Sequence, residues 1–530
     1  MLLLIDPVLL LTSLLLIALL PLPSSTYSAS APRPSPPLPP PASSASSPLQ
    51  NLQNLNSLQN LQNLNCSHFS TCSGCSSSTP ELLPSHTSAA SFFSSPSVRS
   101  HFLPSAPPFR LLRPSPPASH RSSAKLASSP SHPFLPGCTF GLYAASSHEV
   151  RPIPGCEVHH PAINGAAKAL GEATRKAGVS SYRHPNSFQG KGKNAGKGRG
   201  GARGNLKPGE GQLRYACFVV ELSTGKVQLS LVWNARGHKQ AQPGLSRLVK
   251  ELAKKEPELF AGIWVNYNER EGNAILNTKK GSWERVWGGD FIKEPVALSA
   301  PPAPPASAPS LHFLPSVFRQ GNYAGFNQIA LAVAEILSSL PAPPLKVTEL
   351  YAGVGLLGLT AYANSPASFS YIRCSDANPD NVRCFRKNVA SLSAAGHAGA
   401  EAAVSYRPLD AAAALAAGEC DGSGVVVVDP PRAGLDEEVL EALCGERGGM
   451  EDADTLVYVS CGFKALAQDL ERMFKSGAGW KVARCEGYVL FPGSDHVETL
   501  VVLKKGGAAG GEGRGGGKGG GGRKGRSNKR

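Results

Sequence analysis

The chain has 530 residues, 12 of them cysteine, and a formal net charge of +15. This length allows two or three domains, and so few cysteines exclude a scaffold held by disulfides, which indicates a reducing compartment. The positive charge is concentrated in two Gly-rich segments, 190–207 and 510–530, which fit either a solvated charge run or a sequence-independent grip on RNA.

Residues 1–60 form a predicted targeting and low-complexity region. They open with the apolar run MLLLIDPVLLLTSLLLIALLPLP, and the only acidic residues before residue 140 are Asp6 and Glu81. A Ser-rich, acid-poor stretch with scattered Arg is typical of transit peptides. We therefore predict a plastid (chloroplast) location, with a mitochondrial location or a single membrane anchor as alternatives, and no membrane association after processing.

Residues 61–137 carry three closely spaced thiols in a Ser- and Pro-rich stretch. The sequence CSHFSTCSGC contains Cys66, Cys72 and Cys75. Its surroundings predict a poorly ordered segment, because they offer few apolar residues for a core. The thiols are then either chance members of low-complexity sequence or part of a metal site.

Residues 138–296 predict a small central α+β domain without a visible catalytic constellation. A hairpin is indicated by two strand-like runs that flank the turn residues Ser223, Thr224 and Gly225. The predicted strands cover 213–222, 226–234, 260–268 and 273–276, and the one predicted helix covers 245–255. A Pro/Ala-rich linker, 297–314, follows this domain.

Residues 315–505 alternate strand-like and helix-like segments, which predicts an α/β, Rossmann-like domain. After the first strand, Gly353, Gly355 and Gly358 form a G-x-G-x-x-G loop, and Asp376 ends the next strand, where a carboxylate can take ribose hydroxyls. This pattern fits NAD as well as S-adenosylmethionine, and also a fold without a ligand.

Three further segments end or begin buried strands of this domain. VVVVDPPRAGLD places Asp429 before a rigid Pro-Pro pair, and TLVYVSCGF places Cys461 just past the following strand. LFPGSDHVETL places His496 and Glu498 at the start of the last strand. Ligands bind at the carboxyl edge of such sheets, although each of these residues alone also has an ordinary structural explanation.

The order of these blocks resembles the RNA uracil-C5 methyltransferases, which act on tRNA or ribosomal RNA. Four blocks carry the resemblance over 315–503: FRQGN (318–322), ELYAGVGLLGL (349–359), DPPRAGLD (429–436) and SCGF with HVE (460–463 and 496–498). The resemblance implies a class I methyltransferase domain and an RNA substrate. It implies contacts to S-adenosyl-L-methionine from Gln320, Tyr351, Gly353, Asp376 and Asp429.

By the same resemblance, Cys461 would be the nucleophile and Glu498 the base. Uracil C5 is a poor nucleophile until a thiolate adds to C6, so this chemistry requires a thiol with a lowered pKa. The target uridine must be flipped out or lie in a loop. One departure is local: the family often has Asn-Pro after the nucleophile, whereas Gly462 and Phe463 follow it here.

The cysteine spacing C-x5-C-x2-C is similar to the pattern with which ribosomal-RNA members of this family hold a [4Fe–4S] cluster. Their fourth ligand lies in a segment resembling VRPIPGC, which here gives Cys156 beside Cys66, Cys72 and Cys75. Cys138 is a competing fourth ligand, and zinc could use the same set. We expect a structural or RNA-facing role for this site, because Cys461 is far away in sequence.

Two other functions stay open at this point: a methyltransferase acting on a base amino group, and a non-catalytic RNA-binding protein on the same fold. An NAD oxidoreductase is disfavoured, since hydride transfer does not need the Asp-Pro-Pro ending. We predict a monomer with no protein partner. The last segment, 506–530, is predicted to be a disordered Gly/Arg/Lys-rich tail.

Overall fold

The computed structural model describes residues 66–505, except for residues 70, 78–81, 133, 146, 185–206, 208, 271–273, 301–307 and 342–343. The predicted targeting region, the C-terminal tail and nearly all of the basic segment 190–207 lie outside this part of the chain. No helix within the described residues is both long enough and apolar enough to cross a membrane.

The described residues contain strands and helices along their whole length. The strands are β1 (Arg110–Leu112), β2 (Ser123–Pro130), β3 (Cys138–Tyr143), β4 (Val150–Pro152), β5 (Leu213–Val220), β6 (Val227–Trp233), β7 (Phe260–Tyr267), β8 (Trp283–Gly288), β9 (Ile292–Pro295), β10 (Ser310–Phe313), β11 (Leu345–Leu350), β12 (Phe369–Ser375), β13 (Val404–Arg407), β14 (Val425–Val428), β15 (Thr455–Ser460), β16 (Trp480–Tyr488) and β17 (Glu498–Lys505). The α-helices are α1 (Pro84–Ser94), α2 (Pro96–Arg99), α3 (Pro161–Ala177), α4 (His238–Ala241), α5 (Gly244–Lys255), α6 (Tyr323–Ser338), α7 (Leu356–Asn364), α8 (Asn381–Ala394), α9 (Ala400–Ala403), α10 (Ala411–Ala416), α11 (Glu437–Leu443) and α12 (Phe463–Lys475), and a 3-10 turn covers Pro366–Ser368.

An eight-stranded sheet organises the C-terminal half, in the order β1-β16-β17-β15-β14-β11-β12-β13. Strands β11 to β15 run parallel, whereas β17 is antiparallel to both of its neighbours. In β14, Val425 and Val427 join one hydrophobic core while Val426 and Val428 join another. A strand covered on both faces is typical of a doubly wound α/β fold, so the predicted fold class is confirmed.

The central unit is a seven-stranded sheet in the order β4-β3-β2-β5-β6-β7-β8. The predicted hairpin is confirmed as antiparallel β5 and β6, and α5 connects β6 to the parallel strand β7. Helices α3 and α5 contribute buried residues such as Leu170 and Leu248 to its core. The strand that we predicted at 273–276 is wrong for its described residues, because Asn268 Nδ2 binds the carbonyls of Ala274 and Ile275 instead of a strand partner.

The segment 61–137 differs from our expectation of poor order. Its described residues form α1, α2, β1 and β2, and β2 pairs with β5, so the central sheet begins before residue 138. Phe93 of α1 and nearby Val98 are buried in the core beneath the eight-stranded sheet. A few apolar side chains therefore order a Ser-rich segment, because they dock on a core supplied by distant residues rather than forming one of their own.

Candidate active site

Cys461 and Glu498 lie side by side at the carboxyl edge of the parallel strands. Ser460, the last residue of β15, pairs with Thr499 in antiparallel β17. Cys461, which follows Ser460, therefore faces Glu498, which precedes Thr499. Glu498 is 7% exposed and Cys461 is half-buried. The sheet topology thus brings together two residues that sequence reasoning assigned to one reaction.

Arg432 is the cation of this site and follows the Pro-Pro pair after β14. Its guanidinium lowers the pKa values of the Cys461 thiol and of Glu498 against the effect of their burial, and lies 3.4 Å from Nε2 of His496. Sequence reasoning quoted this arginine within its motif but gave it no role. The signal available was its position immediately after Asp-Pro-Pro, at the edge where ligands bind.

The pKa of the Cys461 thiol contradicts our expectation of a depressed value. This pKa is raised to about 11, chiefly by burial and also by the negative charges of Glu498 and Asp429, against the opposing effect of Arg432. The pKa of Glu498 is raised to about 7 by burial, again opposed by Arg432. The residues around Cys461 therefore favour the protonated thiol, and an additional positive charge next to it would favour the thiolate.

The glycine loop after β11 is held by the carboxylate that follows β12. The N–H of Gly353 donates to Oδ2 of Asp376 at 3.0 Å, and the Tyr406 hydroxyl donates to the Gly353 carbonyl at 2.9 Å. Gly353 has a φ of +55°, and a Cβ placed on it would have no atom within 4 Å. The loop thus presents an open backbone surface next to a carboxylate, which suits a ligand that carries a ribose and a positive charge.

Glu349 is a second residue that sequence reasoning missed. It is 2% exposed and accepts a hydrogen bond from the N–H of Gly358 at 2.9 Å. A Cβ at position 358 would lie 2.5 Å from the Glu349 carboxylate, so the third glycine of the motif is required for this contact. Burial raises the pKa of Glu349 to about 7. The available signal was an acidic residue in an otherwise apolar strand directly before the glycines.

The other proposed cofactor contacts surround the same strand ends. Tyr351 adopts a φ of +57°, rare for a residue with a side chain, and its hydroxyl donates to Oδ2 of Asp436 at 3.1 Å and accepts from its N–H at 3.0 Å. Burial raises the pKa of Asp429 well above the usual range for an aspartate, with Glu498 and Glu349 adding to the effect. Gln320 is half-buried in the segment that precedes α6.

A cavity of about 930 Å³ opens next to these residues, between the central sheet and the C-terminal domain. Arg432 and His496 line it on the catalytic side, and Phe318, which is 70% exposed, lines it beside Arg319. Its volume and its mixed polar and aromatic lining suit a ligand of the size of a nucleotide.

The four proposed metal ligands all line this same cavity. Cys66, Cys72, Cys75 and Cys156 reach it from the N-terminal segment and from the loop before α3. Burial raises the pKa of Cys75 to about 11, and the other three thiols raise it further. The donor chemistry therefore fits a cluster, but among the described residues no three His, Cys, Asp or Glu side chains are arranged to hold one metal ion.

The positions of Cys138 and of the four other thiols bear on which cysteines could form the proposed metal site. Cys138 is 2% exposed within the core of the central sheet and is not among the residues that line the cavity. The structural or RNA-facing role that we expected for the thiols stays a prediction, and the cavity that they line is also lined by Arg432 and His496. Distance along the sequence does not measure distance in the fold.

Comparison with protein families finds one match, to the model described as tRNA (Uracil-5-)-methyltransferase, over residues 359–506. A protein of Protochlamydia amoebophila named as an uncharacterized RNA methyltransferase is 30% identical over 367 residues, which cover 69% of this chain and 81% of that protein. One of Caldanaerobacter subterraneus with the same type of name is 27% identical over 377 residues, covering 69% of this chain and 68% of the relative.

Among solved structures, the fold is similar to that of the Pyrococcus abyssi tRNA (uracil-54, C5)-methyltransferase in complex with S-adenosyl-L-homocysteine. The TM-score is 0.52 with 19% sequence identity, and the match covers 75% of this chain and 79% of that one. At this identity the likeness supports the fold.

Proposed function

The chain belongs to the RNA (uracil-5-)-methyltransferase family and is an S-adenosylmethionine-dependent RNA methyltransferase, and we propose that it methylates C5 of a uracil through a covalent bond between Cys461 and C6. The observation that carries this proposal is the pairing of Ser460 with Thr499, which sets a thiol beside a carboxylate at the ligand-binding edge of the sheet. A methyltransferase acting on an exocyclic amine needs neither of these two side chains.

The reaction begins when the Cys461 thiol loses its proton to solvent water and the thiolate adds to C6 of the uracil ring. The electrons of the C5–C6 double bond move towards the O4 carbonyl, so that C5 gains the enolate character needed to take a methyl group. C5 would then bond to the methyl carbon that the cofactor supplies as the methyl–sulfur bond breaks, with that electron pair left on the cofactor sulfur. The carboxylate of Glu498 then removes the proton from C5. The C5–C6 double bond forms again as the C6–S bond breaks, and the electron pair returns to sulfur.

The raised pKa values of Cys461 and Glu498 affect different steps of the proposed reaction. Glu498, with a pKa of about 7, is partly ionised at neutral pH and matched to a proton transfer under those conditions. Arg432 contacts Cys461 and favours the thiolate over the thiol. S-adenosylmethionine, when bound, would supply the methyl group and a positively charged sulfonium. We expect that charge to oppose the effect of Asp429 and Glu498 on the thiol pKa.

The residues at the strand ends would hold that cofactor. Asp376 suits the ribose hydroxyls, and the open Gly353 backbone allows close approach of the ligand. Tyr351 directly after β11, Asp429 directly after β14 and Gln320 in the segment before α6 complete the proposed set. The acidic character of this edge favours a positively charged ligand.

The test compares the wild-type protein with Cys461→Ala and Glu498→Gln on tRNA and ribosomal RNA that lack 5-methyluridine. We expect 5-methyluridine, identified by nucleoside mass spectrometry, with the wild type and none with Cys461→Ala. Full methyl transfer by Cys461→Ala would instead indicate an amino-group methyltransferase, and no transfer by the wild type to any RNA would indicate a binding protein.

The RNA and its compartment are identified by a second measurement. We propose a plastid location on the basis of the Ser-rich, acid-poor N-terminal sequence. Cells that lack the protein should lose 5-methyluridine from plastid tRNA or ribosomal RNA, while cytosolic RNA keeps it. Unchanged 5-methyluridine in every fraction would contradict the catalytic proposal, and loss from another compartment would contradict the location.

We also propose that Cys66, Cys72, Cys75 and Cys156 bind a [4Fe–4S] cluster, with zinc as the competing ligand of the same thiols. Their common cavity supports the proposal, although the thiols must draw closer together to bind one cluster. Protein purified without oxygen should contain iron and absorb broadly in the visible range, Cys156→Ala should lose both, and Cys138→Ala should keep both. A colourless, iron-free wild type would reject the cluster.

A further inference from the structure

Helix α1 contacts the loop that leads to the proposed base, although 410 residues separate the partners. Residues 491–497, here called the catalytic loop, connect β16 to Glu498 and include His496, the partner of Arg432. The N–H of Ser85 donates to Oδ1 of Asp495 at 2.8 Å. This contact anchors the N-terminus of α1 on the catalytic loop.

His86 is the second contact, and its hydrogen bonds define its tautomer. The imidazole is 2% exposed, and its Nδ1 lies 3.1 Å from the N–H of Leu83, so Nδ1 must accept. Nε2 then carries the proton and donates to the carbonyl oxygen of His496 at 3.1 Å. A neutral His86 with both ring nitrogens paired therefore connects the start of α1 to the residue two positions before Glu498.

The cysteine-bearing segment holds the same loop at its other end. The N–H groups of Ser76 and Ser77 donate to the carbonyl of Gly493 at 2.6 and 3.0 Å. Gly493 has a φ of +81°, and a Cβ on it would lie 2.7 Å from the Ser77 carbonyl oxygen, so glycine permits this close approach. The catalytic loop is thus tied at Gly493, Asp495 and His496 to a segment that lies just after Cys75.

The opposite end of α1 contacts the segment that follows the nucleophile. The ring of Phe463, two residues after Cys461, packs against Phe92 at 5.8 Å and Phe93 at 6.3 Å between centroids. Phe463 is part of the Gly-Phe pair that stands where the family often has Asn-Pro. The local departure from the family pattern therefore coincides with a contact to α1.

We propose that residues 76–77 and helix α1 (Pro84–Ser94) together form a brace that positions both proposed catalytic side chains, and that His86 is the positioning residue for Glu498. This inference rests on the proposed function, because it assigns to the brace the geometry of the C5 proton transfer. A carboxylate must come within hydrogen-bond distance of that proton, and loop segments without anchors open readily. The three anchors on the catalytic loop restrict such opening next to Glu498.

The decisive variants are a pair at position 86. In His86→Asn the amide oxygen can still accept from the Leu83 N–H in place of Nδ1, but the bond to His496 is lost. In His86→Gln the longer side chain can still donate to the His496 carbonyl from the position of Nε2. Ser91→Ala, at an exposed position of the same helix, is the control for changes in α1 itself.

The readout separates methyl transfer from proton removal in a single turnover. The substrate is RNA with tritium at uracil C5, together with S-adenosylmethionine labelled in its methyl group. For His86→Asn we expect methyl transfer close to that of the wild type and release of tritium slowed about tenfold, a part of the contribution that a positioned base makes. An SDS-resistant complex of protein and methylated RNA should accumulate, and His86→Gln should release tritium within about twofold of the wild type.

Hydrogen exchange gives an independent measurement that needs no turnover. Backbone amides of the 489–499 peptide should exchange faster in His86→Asn than in wild type, His86→Gln or Ser91→Ala, with exchange in β11 unchanged. Equal slowing of both chemical steps in His86→Asn, or unchanged exchange in the loop, would overturn the inference. If the wild type itself neither transfers methyl groups nor releases tritium, the proposed function fails. The hydrogen-exchange rates then test the proposed brace on their own.

Discussion

At the scale of single residues, charge balance governs the proposed site. Burial is the largest cause of the raised pKa values of three carboxylates, Glu349, Asp429 and Glu498, and of the Cys461 thiol. Arg432 is the cation that offsets this negative potential within contact distance of the thiol. The negative potential of the site therefore favours a positively charged ligand. Glu498 and Arg432 each give a testable prediction.

The first concerns Glu498 and the stability of the fold. Its pKa in the folded protein is about 7 against an ordinary value of 4.5, so the folded state favours the protonated acid. The stability that this protonation provides is complete below pH 4.5 and is lost as the pH rises through 7. Glu498→Gln should therefore match the wild type in urea unfolding at pH 4 and exceed it by about 3 kcal/mol at pH 8. Equal stability at both pH values would contradict the raised pKa.

The second concerns Arg432 and the reactivity of the thiol. Removing the guanidinium in Arg432→Met should raise the Cys461 pKa further and slow alkylation of that thiol about tenfold at pH 9. Peptide mass spectrometry after a timed exposure to iodoacetamide measures this rate at position 461 alone. Arg447→Met, which removes an exposed arginine paired with Glu441, should leave it unchanged. Alkylation at the wild-type rate in Arg432→Met would show that the contact does not control the thiol.

At the scale of elements, the short turns after β14 and β15 must lie against each other. A Cβ on Gly462 would come within 2.4 Å of the Arg432 carbonyl oxygen, and the φ of Gly462 is −117°, so the requirement is space rather than a left-handed backbone. The two turns that carry the thiol and the guanidinium are thus in backbone contact. This contact explains why a residue without a side chain follows the proposed nucleophile.

Gly462→Ala should therefore separate the two turns. We expect the free energy of unfolding to fall by about 1–3 kcal/mol, as for overpacking in a core, and methyl transfer to fall with it. Gly424→Ala is the matched control, since a Cβ there would have no atom within 4 Å, and it should change stability by less than about 0.5 kcal/mol. Chemical denaturation of both variants tests this, and equal effects would remove the explanation for Gly462.

Prediction from the sequence succeeded where local pattern and fold topology coincide. Buried strands that end in Asp429 and Cys461 have one arrangement in a parallel sheet, so the edge that joins them could be predicted. The pairing of β17 with β15 is not visible in the sequence, because register depends on contacts between residues far apart in the chain. The helix α1 could not be found either, since only two of its three buried residues, Ala89 and Phe93, are apolar, which is too few for a periodic apolar pattern.

At the scale of the whole molecule, a buried ion pair joins the central unit to the C-terminal domain. The Arg319 guanidinium contacts the Glu294 carboxylate, donates to the Val220 carbonyl at 3.0 Å, and stacks 4.8 Å from the Tyr323 ring. Side chains of both partners are almost fully shielded from solvent. The pair fixes the segment that carries Phe318 and Gln320 against the central sheet, at the mouth of the shared cavity.

Breaking this pair should cost far more than breaking a pair on the surface. Arg319→Met leaves Glu294 buried without its cation, and we expect a loss of about 3–5 kcal/mol in the free energy of unfolding. Lys226→Met breaks the exposed pair with Glu258 and should cost less than about 1 kcal/mol. Urea unfolding followed by Trp fluorescence measures both. Similar losses in the two variants would mean that the junction contributes little to stability.

The short strand β1 has a consequence for how much of the chain can be removed. Arg110, Leu111 and Leu112 pair with Glu486, Gly487 and Tyr488 of β16, so they cover the backbone groups at the end of an eight-stranded sheet. A shortened protein that starts after residue 112 would present β16 as an open edge, a template on which a second molecule can add its own strand. Such a fragment should self-associate and precipitate as its concentration rises, even though every residue of the methyltransferase motifs is still present.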